Sequence, residues 1–493
     1  MNTCINKEMS SIKKNFVYIS IYNMFAMLLP LMTSPILSRA LGAESLGIYG
    51  YVDAVVGIFL VFATTGVYRF GMREIAKVRD DERRTAQVYS NIWAINTANI
   101  LLIILIYLLF MFWVDLSYKL YFWIKLGVFV AAIFDNAFFF CGIENMKPVT
   151  IRDGAVKLTA FFLIVSFVRE PQDLGLYFLI MTLSSLIPAI IGFFYARRFV
   201  HLVKPDLTEC RRMYLPMVIL LIPMLATNIY HSMDRIMIDN LFGAADVGYY
   251  LCATKVLTPR SIIMALGTAV CPNLAYLYAN GKSEEANKKF GKSLILSLIF
   301  AFFVAGVTGV MADDFAPLFW GDDFTACAPL MIGFGISIPI WTVGEVIRSQ
   351  FLLAKGRDNE YIATFVLGVA VNGIVNLALI PVYGAKGAVV GTIAAEFSMS
   401  LLQIYFVDRV LPIIKYLKQS VPYLLLMIFT VLVTRECISS LLTGKFIRMG
   451  STLLFCGVLY YMITMLYERF SSQKYVTELM NMGKMFIRRK IGR

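Results

Sequence analysis

Histidines and closely spaced cysteines are scarce in this chain. The only two histidines, His201 and His231, are too few and too far apart to build a metal centre. The eight cysteines are scattered singly, without a close pair of the kind that binds zinc or carries out redox chemistry. Most of them fall in apolar runs, where cysteine behaves as a small apolar residue. The sequence therefore predicts neither a metal site nor a cofactor.

Charged residues are also few. They make up 16% of the 493 residues, whereas 59% are hydrophobic, and the mean hydropathy is +0.72. Soluble domains are only about half apolar, and apolar runs of about 20 residues cross a bilayer as helices. We interpret the chain as an all-α polytopic membrane protein.

Apolar stretches bounded by polar residues predict about fourteen transmembrane helices. They lie near residues 15–37, 47–70, 88–113, 120–141, 154–169, 174–195, 214–238, 248–271, 293–311, 327–352, 361–380, 385–407, 420–441 and 447–467. Lys13 and Lys14 precede the first run, which is too long for a signal peptide and lacks a small-residue cleavage site.

Long polar loops are missing as well. A membrane glycosyltransferase or polymerase usually carries its catalytic groups in a sizeable aqueous loop, so the short loops weigh against an enzyme. The net charge of +13 is explained by topology and not by nucleic acid, because Lys and Arg collect in alternating loops. These loops follow helices two, six and eight, and the tail is also basic. The pattern predicts that both termini are cytoplasmic.

A short motif occurs twice. "LGAESLGIYG" begins at Leu41 and "FGAADVGYYL" at Phe242, 201 positions later, and both fit Gly-Ala-x-x-(Leu/Val)-Gly-x-Tyr. A weaker echo links "FFFCGIENMK" to "QFLLAKGRD". In the predicted topology both copies of the motif fall in outside loops six helices apart. This predicts two parallel six-helix lobes related by a pseudo-twofold axis along the membrane normal.

The predicted organisation has four parts. They are an N-terminal lobe over residues 1–200, a C-terminal lobe over 201–410, two extra helices over 411–468 and a basic cytoplasmic tail over 469–493. From about Gln473 the tail mixes apolar residues with cations. It is expected either to lie on the anionic inner leaflet or to be solvated.

Several stretches, in order, resemble the Wzx-type polysaccharide-repeat-unit flippases of the multidrug/oligosaccharidyl-lipid/polysaccharide exporter superfamily. They are "GIYGYVDAVVGIF", "FGMREIAKVRDD", "FCGIENMKPVTIRDGAVKL", "YHSMDRIMI", "VGYYLCATKV" and "NGIVNLALIPVYGAKGAVVGTIAAE". The resemblance covers nearly the whole chain. It implies a V-shaped fold like that of the multidrug exporters of this superfamily.

The resemblance also implies an activity. An undecaprenyl-diphosphate-linked oligosaccharide would move from the inner to the outer leaflet of the bacterial cytoplasmic membrane by alternating access. The resemblance further implies that transport is coupled to H⁺, Na⁺ or the membrane potential. It also implies that the protein works alongside a polysaccharide polymerase and glycosyltransferases. Alternatives on this fold are an organic-cation antiporter and a flippase for lipid-linked peptidoglycan precursors. The latter is disfavoured because helix one has no charge before Arg39.

Ionisable residues within spans are functional candidates, because they are costly in hydrocarbon. For binding the diphosphate we select cations within helices seven, eight and ten: Arg235, Lys255, Arg260 and Arg348. The competing interpretation for each is an ion pair within its own lobe. For Arg348 this is a pair with Glu345, three residues earlier on the same helix.

Carboxylates within the spans are candidates for ion coupling or gating. They are Asp53, Asp135, Asp234, Glu345 and Glu396. Glu396 is the best candidate for a protonatable group, because no basic residue lies one turn away on its helix; a structural acid is the alternative. Asp53 and Lys255 are predicted at equal depth in opposite lobes, where they could pair when the cleft closes.

Four cations are predicted at the cytoplasmic ends of helices two and five. They are Arg69, Arg73, Arg152 and Lys157. Positive-inside anchoring explains most of them, and some could attract the anionic headgroup to the inward opening. Some tyrosines and tryptophans could also stack on sugars.

Overall fold

The computed structural model describes the backbone of residues 2–64, 66–114, 117–441 and 444–481. Side chains of residues 1–27, 222–224, 226–227, 231 and 438–441 fall outside the description, as does the tail from residue 482, with Arg488, Arg489, Lys490 and Arg493. Within the described ranges the chain forms helices and turns and no strand. The predicted all-helical fold class is confirmed.

Seventeen α-helices lie within the described residues up to Phe470, and a further helical segment covers residues 475–481. They are α1 (Asn2–Thr64), α2 (Val67–Val78), α3 (Glu82–Trp113), α4 (Lys119–Phe134), α5 (Ala137–Gly142), α6 (Lys147–Phe167), α7 (Leu174–Ala196), α8 (Leu207–Ile219), α9 (Leu221–Phe242), α10 (Ala244–Ala253), α11 (Arg260–Ala279), α12 (Ser283–Trp320), α13 (Cys327–Ile347), α14 (Asp358–Tyr383), α15 (Ala385–Val407), α16 (Ile413–Leu441) and α17 (Lys445–Phe470). A π-helical turn, Arg348–Leu352, follows α13.

Eleven stretches of the described chain are long and apolar enough to cross a membrane. The difference from the predicted fourteen has identifiable sources. Predicted helices one and two meet within α1, whose backbone leaves helical geometry at Gly42. Predicted helix five (α6) and predicted helix seven (α8 and α9) are not among the eleven. The count of fourteen therefore stays a prediction.

Predicted helices four and eight are each interrupted at a candidate site residue. Helix four divides into α4 and α5 at Asp135, whose Oδ1 accepts a hydrogen bond of 3.0 Å from the Ala137 backbone N–H. Such local side-chain bonds compete with helix continuation. Helix eight divides into α10 and α11 around a 3₁₀ turn, Thr254–Leu257. Pro259 lies just after this turn and cannot donate a helical hydrogen bond, which favours a break at this point.

The chain divides into two compact units, Met1–Gly248 and Tyr249–Arg493. The first unit has one apolar core around Tyr107, Phe122, Phe129 and Phe178 and another around Tyr89, Phe138, Phe139 and Phe140. The core of the second unit includes Phe290, Trp341, Phe351 and Tyr423. Neighbouring residues on α3, Leu101, Leu102 and Leu105, are each more than half exposed. Exposed leucines on a helix of this length suit a lipid-facing surface.

The duplicated motif has the same backbone geometry in both copies. Gly42 has φ 74° and ψ 176°, and Gly243, 201 positions later, has φ 92° and ψ 172°. Positive φ is a conformation that glycine adopts without strain, which explains the residue type at both turns.

The two copies also pack against each other within the first unit. A Cβ atom on Gly47 would overlap the backbone carbonyl of Ala244, and a Cβ on Gly248 would overlap that of Ala43. Ala43 and Ala244 occupy the same motif position, as do Gly47 and Gly248. The contact is therefore reciprocal, as at an isologous interface between twofold-related parts. It supports a duplicated origin, while the symmetry of whole lobes stays a prediction.

The weaker echo marks a second shared turn. After α5 the Asn145 N–H donates to the Phe140 carbonyl at 2.9 Å, and Glu144 has φ 57°. After the π-helical turn the Arg357 N–H donates to the Leu352 carbonyl at 2.8 Å, and Gly356 has φ 67°. Both are helix ends closed by a left-handed residue and a six-to-one hydrogen bond.

The start of the predicted tail is tied to the second unit by Glu468. This side chain is buried and accepts hydrogen bonds from the Tyr423 hydroxyl at 3.0 Å and from the backbone N–H groups of Val476 and Thr477 at 2.9 and 2.8 Å. Lys292 pairs with Glu478, the residue that follows Thr477. Glu468 thereby satisfies donors that a helix start leaves without partners.

Candidate functional sites

The first unit brings two predicted site residues together with a third charge. Oδ1 of Asp53 on α1 lies 2.9 Å from Nζ of Lys125 on α4. Oδ2 of Asp53 lies 3.4 Å from Nη1 of Arg235 on α9. Arg235 also donates to the Gly50 carbonyl at 3.3 Å. Two cations therefore share one carboxylate, which is itself 41% exposed. The Asp53–Lys125 pair fits the competing interpretation of an ion pair within the predicted N-terminal lobe. Arg235 belongs to the predicted C-terminal lobe, so its pair with Asp53 is not the pair within one lobe that this interpretation describes.

Lys125 was missed by sequence reasoning, although it makes the shortest ion pair in this cluster. Its side chain is only 6% exposed, and its Nζ lies 4.8 Å from the ring centroid of Tyr49. A cation over a tyrosine face gains from the ring quadrupole. The available signal was its position inside the apolar run "YFWIKLGVFV", since an ionisable residue within a span is a candidate by default.

Asp135, Arg152 and Lys157 line one cavity of about 330 Å³ in the first unit, together with Asp153 and the hydroxyls of Ser184 and Ser185. Arg152 is held by Asp153 at 2.7 Å. Its guanidinium occupies the space that a side chain at position 192 would need, so Gly192 makes room for it. The break between α4 and α5 places Asp135 at this cavity. Interrupted helices with ionisable side chains are typical of binding sites in transporters.

Arg69 and Arg73, predicted in the same cytoplasmic group, do not line that cavity. They lie on α2, a separate helix that begins after Gly66, which has φ 65°. Predicted helix two was therefore drawn too long, because its last residues belong to α2. Arg69 is exposed, and Arg73 pairs with Glu74 at 3.3 Å, as ordinary anchoring cations would.

The second unit contains a buried pair of predicted residues. Arg260 is the first residue of α11, and its Nη1 lies 3.4 Å from Oε1 of Glu396 on α15. Its Nη2 donates to Ser337 Oγ at 2.6 Å. Its guanidinium carbon is 4.9 Å from the ring centroid of Trp341. Glu396 is 5% exposed and Arg260 12%. Glu396 thus has a basic neighbour, which comes from another helix and could not be read from helical spacing.

Glu345 and Arg348 form the intrahelical pair that their spacing predicts. Arg348 Nη2 lies 2.7 Å from Glu345 Oε2, and the side chains are 6% and 13% exposed. The guanidinium carbon of Arg348 also lies 5.1 Å from the ring centroid of Phe365. Arg348 opens the π-helical turn, and such turns are frequent at functional sites.

Lys255 and Asp234 complete the predicted set. Lys255 belongs to the 3₁₀ turn between α10 and α11 and is partly buried. Asp234 on α9 is 2% exposed. Both have interaction partners in the structure. A pairing of Lys255 with Asp53 stays a prediction.

The ion pairs suggest what these sites can do chemically. Arginine presents a planar set of donors that suits phosphate oxygens. The Asp53–Arg235 and Arg260–Glu396 contacts, at 3.4 Å each, are longer than usual charge-assisted hydrogen bonds. A phosphate oxygen that approached could replace the carboxylate on either arginine without leaving an unpaired buried cation.

Comparison with known proteins identifies the family. The described chain has the fold of a polytopic helical membrane protein with ion-paired cations inside its units. The chain belongs to the polysaccharide biosynthesis protein family, whose model matches residues 12–277. The family resemblance read from the sequence is confirmed.

Relatives named for surface polysaccharides match much of the chain. The putative O-antigen transporter of Escherichia coli K12 is 23% identical over 416 residues, which cover 82% of this chain and 98% of that protein. The capsular polysaccharide biosynthesis protein CapF of Staphylococcus aureus is 21% identical over 278 residues, covering 54% of this chain and 68% of that protein.

Solved structures share the fold. The lipid II flippase MurJ in an inward closed conformation has a TM-score of 0.70 at 15% identity, covering 92% of this chain and 99% of that chain. An inward-facing multidrug resistance MATE family transporter of the MOP superfamily has a TM-score of 0.61 at 14% identity, covering 82% and 99%. At these identities the likeness establishes the fold alone.

Proposed function

We propose that this protein is a transporter that moves an undecaprenyl-diphosphate-linked oligosaccharide from the inner to the outer leaflet of the bacterial cytoplasmic membrane. Translocation proceeds by alternating access and serves surface polysaccharide assembly. Both termini lie in the cytoplasm. Glycosyltransferases act before it and polysaccharide polymerases act after it on the same lipid-linked sugars.

The main support is a set of largely buried arginines whose carboxylate partners a phosphate could replace. Arg260 and Arg348 in the second unit, and Arg235 in the first, each face a carboxylate of their own unit. A diphosphate crossing hydrocarbon would leave its oxygens unpaired at a cost of several kcal/mol each. Arginines that exchange a carboxylate for a phosphate lower this barrier in both directions, which is what a flippase requires.

Glu396 is the proposed coupling group. When Arg260 turns to the diphosphate, the Glu396 carboxylate loses its partner inside the second unit. A buried carboxylate without a partner is costly, so it would take up a proton or bind Na⁺ at that point. Substrate capture and ion uptake would then be linked at a single residue.

A deletion strain tests the proposal in cells. It should accumulate the complete lipid-linked repeat unit on the cytoplasmic side, and the wild-type gene should restore export. Accumulation of peptidoglycan precursor instead would favour that alternative, and sensitivity to cationic drugs with normal export would favour the organic-cation antiporter. Normal export with no accumulation would contradict the proposal.

A further inference from the structure

The first unit contains a second cavity that includes none of the predicted site residues. It has a volume of about 480 Å³ and lies between α1, the end of α3, the start of α4 and α9. Its size falls in the range of small-molecule sites, about 300–1,000 Å³. The sites described above do not account for it.

Two aromatic pairs form part of its wall. The rings of Tyr51 and Tyr118 are 5.9 Å apart at 69°, and those of Phe59 and Phe110 are 5.3 Å apart at 49°. Rings such as these offer apolar faces to a flat, weakly polar ligand. In a site that accepted only a lipid tail, however, no polar group would be needed.

The cavity also carries polar groups that converge on it. Asp239 and Asn240 at the end of α9 and Ser117 before α4 share the lining. Oδ1 of Asp239 is buried, and among the described residues it has no hydrogen-bond partner. Burial and the charges of Asp239 and Glu44 raise the pKa of the Tyr118 phenol. A buried acceptor without a donor is costly, so a ligand that donates to Asp239 would be stabilised here.

We infer that this cavity is a sugar subsite that holds one residue of the transported oligosaccharide, and this inference rests on the proposed function. A sugar ring has an apolar face for the tyrosines and phenylalanines. Its hydroxyls can donate to the Asp239 carboxylate and accept from the Asn240 amide and the Ser117 hydroxyl. An acyl chain would leave the Asp239 oxygen unpaired. An organic cation would satisfy the carboxylate but would make no use of the amide and hydroxyl donors.

The inference is tested by binding to the full-length protein in nanodiscs. The probes are the free oligosaccharide released by mild acid from the host strain's lipid-linked repeat unit, undecaprenyl diphosphate and tetramethylammonium. The variants are Asp239→Ala, which removes the acceptor, and Tyr118→Leu. The matched controls are Asp323→Ala and Tyr383→Leu, which alter an exposed acid and a 60% exposed tyrosine of the second unit.

We expect each cavity variant to weaken oligosaccharide binding roughly tenfold or more, as the loss of a good polar or stacking contact does. Binding of undecaprenyl diphosphate should stay at the wild-type level, and the controls should bind both probes normally. Unchanged oligosaccharide affinity in both cavity variants would overturn the subsite while leaving the proposed function intact. Variant-sensitive binding of tetramethylammonium, with sugar binding unaffected, would also overturn it. If the wild type bound neither oligosaccharide nor undecaprenyl diphosphate, the proposed function itself would fail.

Discussion

Arg260 and Glu396 form an ion pair of 3.4 Å that the second unit encloses almost completely. Removing one partner of a buried pair typically costs about 3–5 kcal/mol, because the other charge is left unpaired. The pair therefore contributes to stability as well as to the proposed transport. Separating these two roles requires variants that keep the charge balance.

We predict that Arg260→Gln alone lowers the melting temperature of the purified protein, and that the double variant Arg260→Gln/Glu396→Gln largely restores it. Translocation should be lost in both, because neither can hold a phosphate at this position. Thermal unfolding in detergent and a transport assay measure the two effects separately. Wild-type transport by the stable double variant would show that the pair is only structural.

Glu396→Gln should abolish the dependence of transport on a proton or sodium gradient. The glutamine keeps the size of the side chain and can still accept from Arg260, but it can neither gain nor lose a proton. The check is the transport rate with and without an imposed gradient. Glu478→Gln, at a 59% exposed acid, serves as a control. A gradient response equal to that of the wild type would remove Glu396 from the coupling role.

The Asp53 cluster should respond asymmetrically to substitution. Asp53→Asn leaves the buried Lys125 and Arg235 without their shared acid, whereas Lys125→Met leaves Asp53 still paired with Arg235. We therefore expect Asp53→Asn to lower the melting temperature more than Lys125→Met. The double variant Asp53→Asn/Lys125→Met should be more stable than Asp53→Asn alone. The opposite order would mean that Lys125 is stabilised by its aromatic neighbours and not by the carboxylate.

Gly47→Ala should destabilise the first unit. Its Cβ would overlap the Ala244 carbonyl, and a backbone atom cannot rotate away, so a cost of about 1–3 kcal/mol is expected. The matched control is Gly309→Ala in α12, where a Cβ would meet nothing within 4 Å. That change should be neutral or stabilise by about 0.5–1 kcal/mol, because alanine suits a helix better than glycine. Equal melting temperatures for the wild type and Gly47→Ala would contradict the reciprocal contact.

Glu468→Ala should loosen the start of the tail. Without the carboxylate, the amides of Val476 and Thr477 lose their acceptor, and loss of such a cap costs about 0.5–2 kcal/mol. Hydrogen exchange at these two amides should become faster, while Glu285→Ala, at a 52% exposed acid, should leave it unchanged. Protection equal to that of the wild type would mean that other contacts hold the tail.

The sequence was most informative where a signal is local. Each predicted span falls on a helix or on a helix with a break, because apolar length is a property of one segment. The two recurrent turns are visible because glycine or a short motif marks them. The break at Asp135 was missed, because one aspartate that accepts a hydrogen bond from the Ala137 backbone N–H does not visibly interrupt the apolar run.

Contacts between helices were the part that could not be predicted. Helical spacing relates Glu345 to Arg348, and that pair is present. It does not relate Glu396 to Arg260, 136 positions away, nor does it bring Lys125 or Arg235 to Asp53. The cavity at Asp239 is formed by segments of four helices whose packing depends on the whole first unit. Such sites need the three-dimensional structure.

The most direct test is translocation of the host's labelled lipid-linked repeat unit in proteoliposomes containing only this protein. The wild type and Lys289→Ala, which removes an exposed cation in a surface pair, should expose the inner-leaflet substrate at the same rate. Arg260→Gln/Glu396→Gln and Arg348→Gln/Glu345→Gln should be at least about tenfold slower, as expected when a charge-assisted contact to phosphate is lost. Wild-type rates in both double variants, or no translocation by the wild type, would contradict a flippase that carries its substrate on buried arginines.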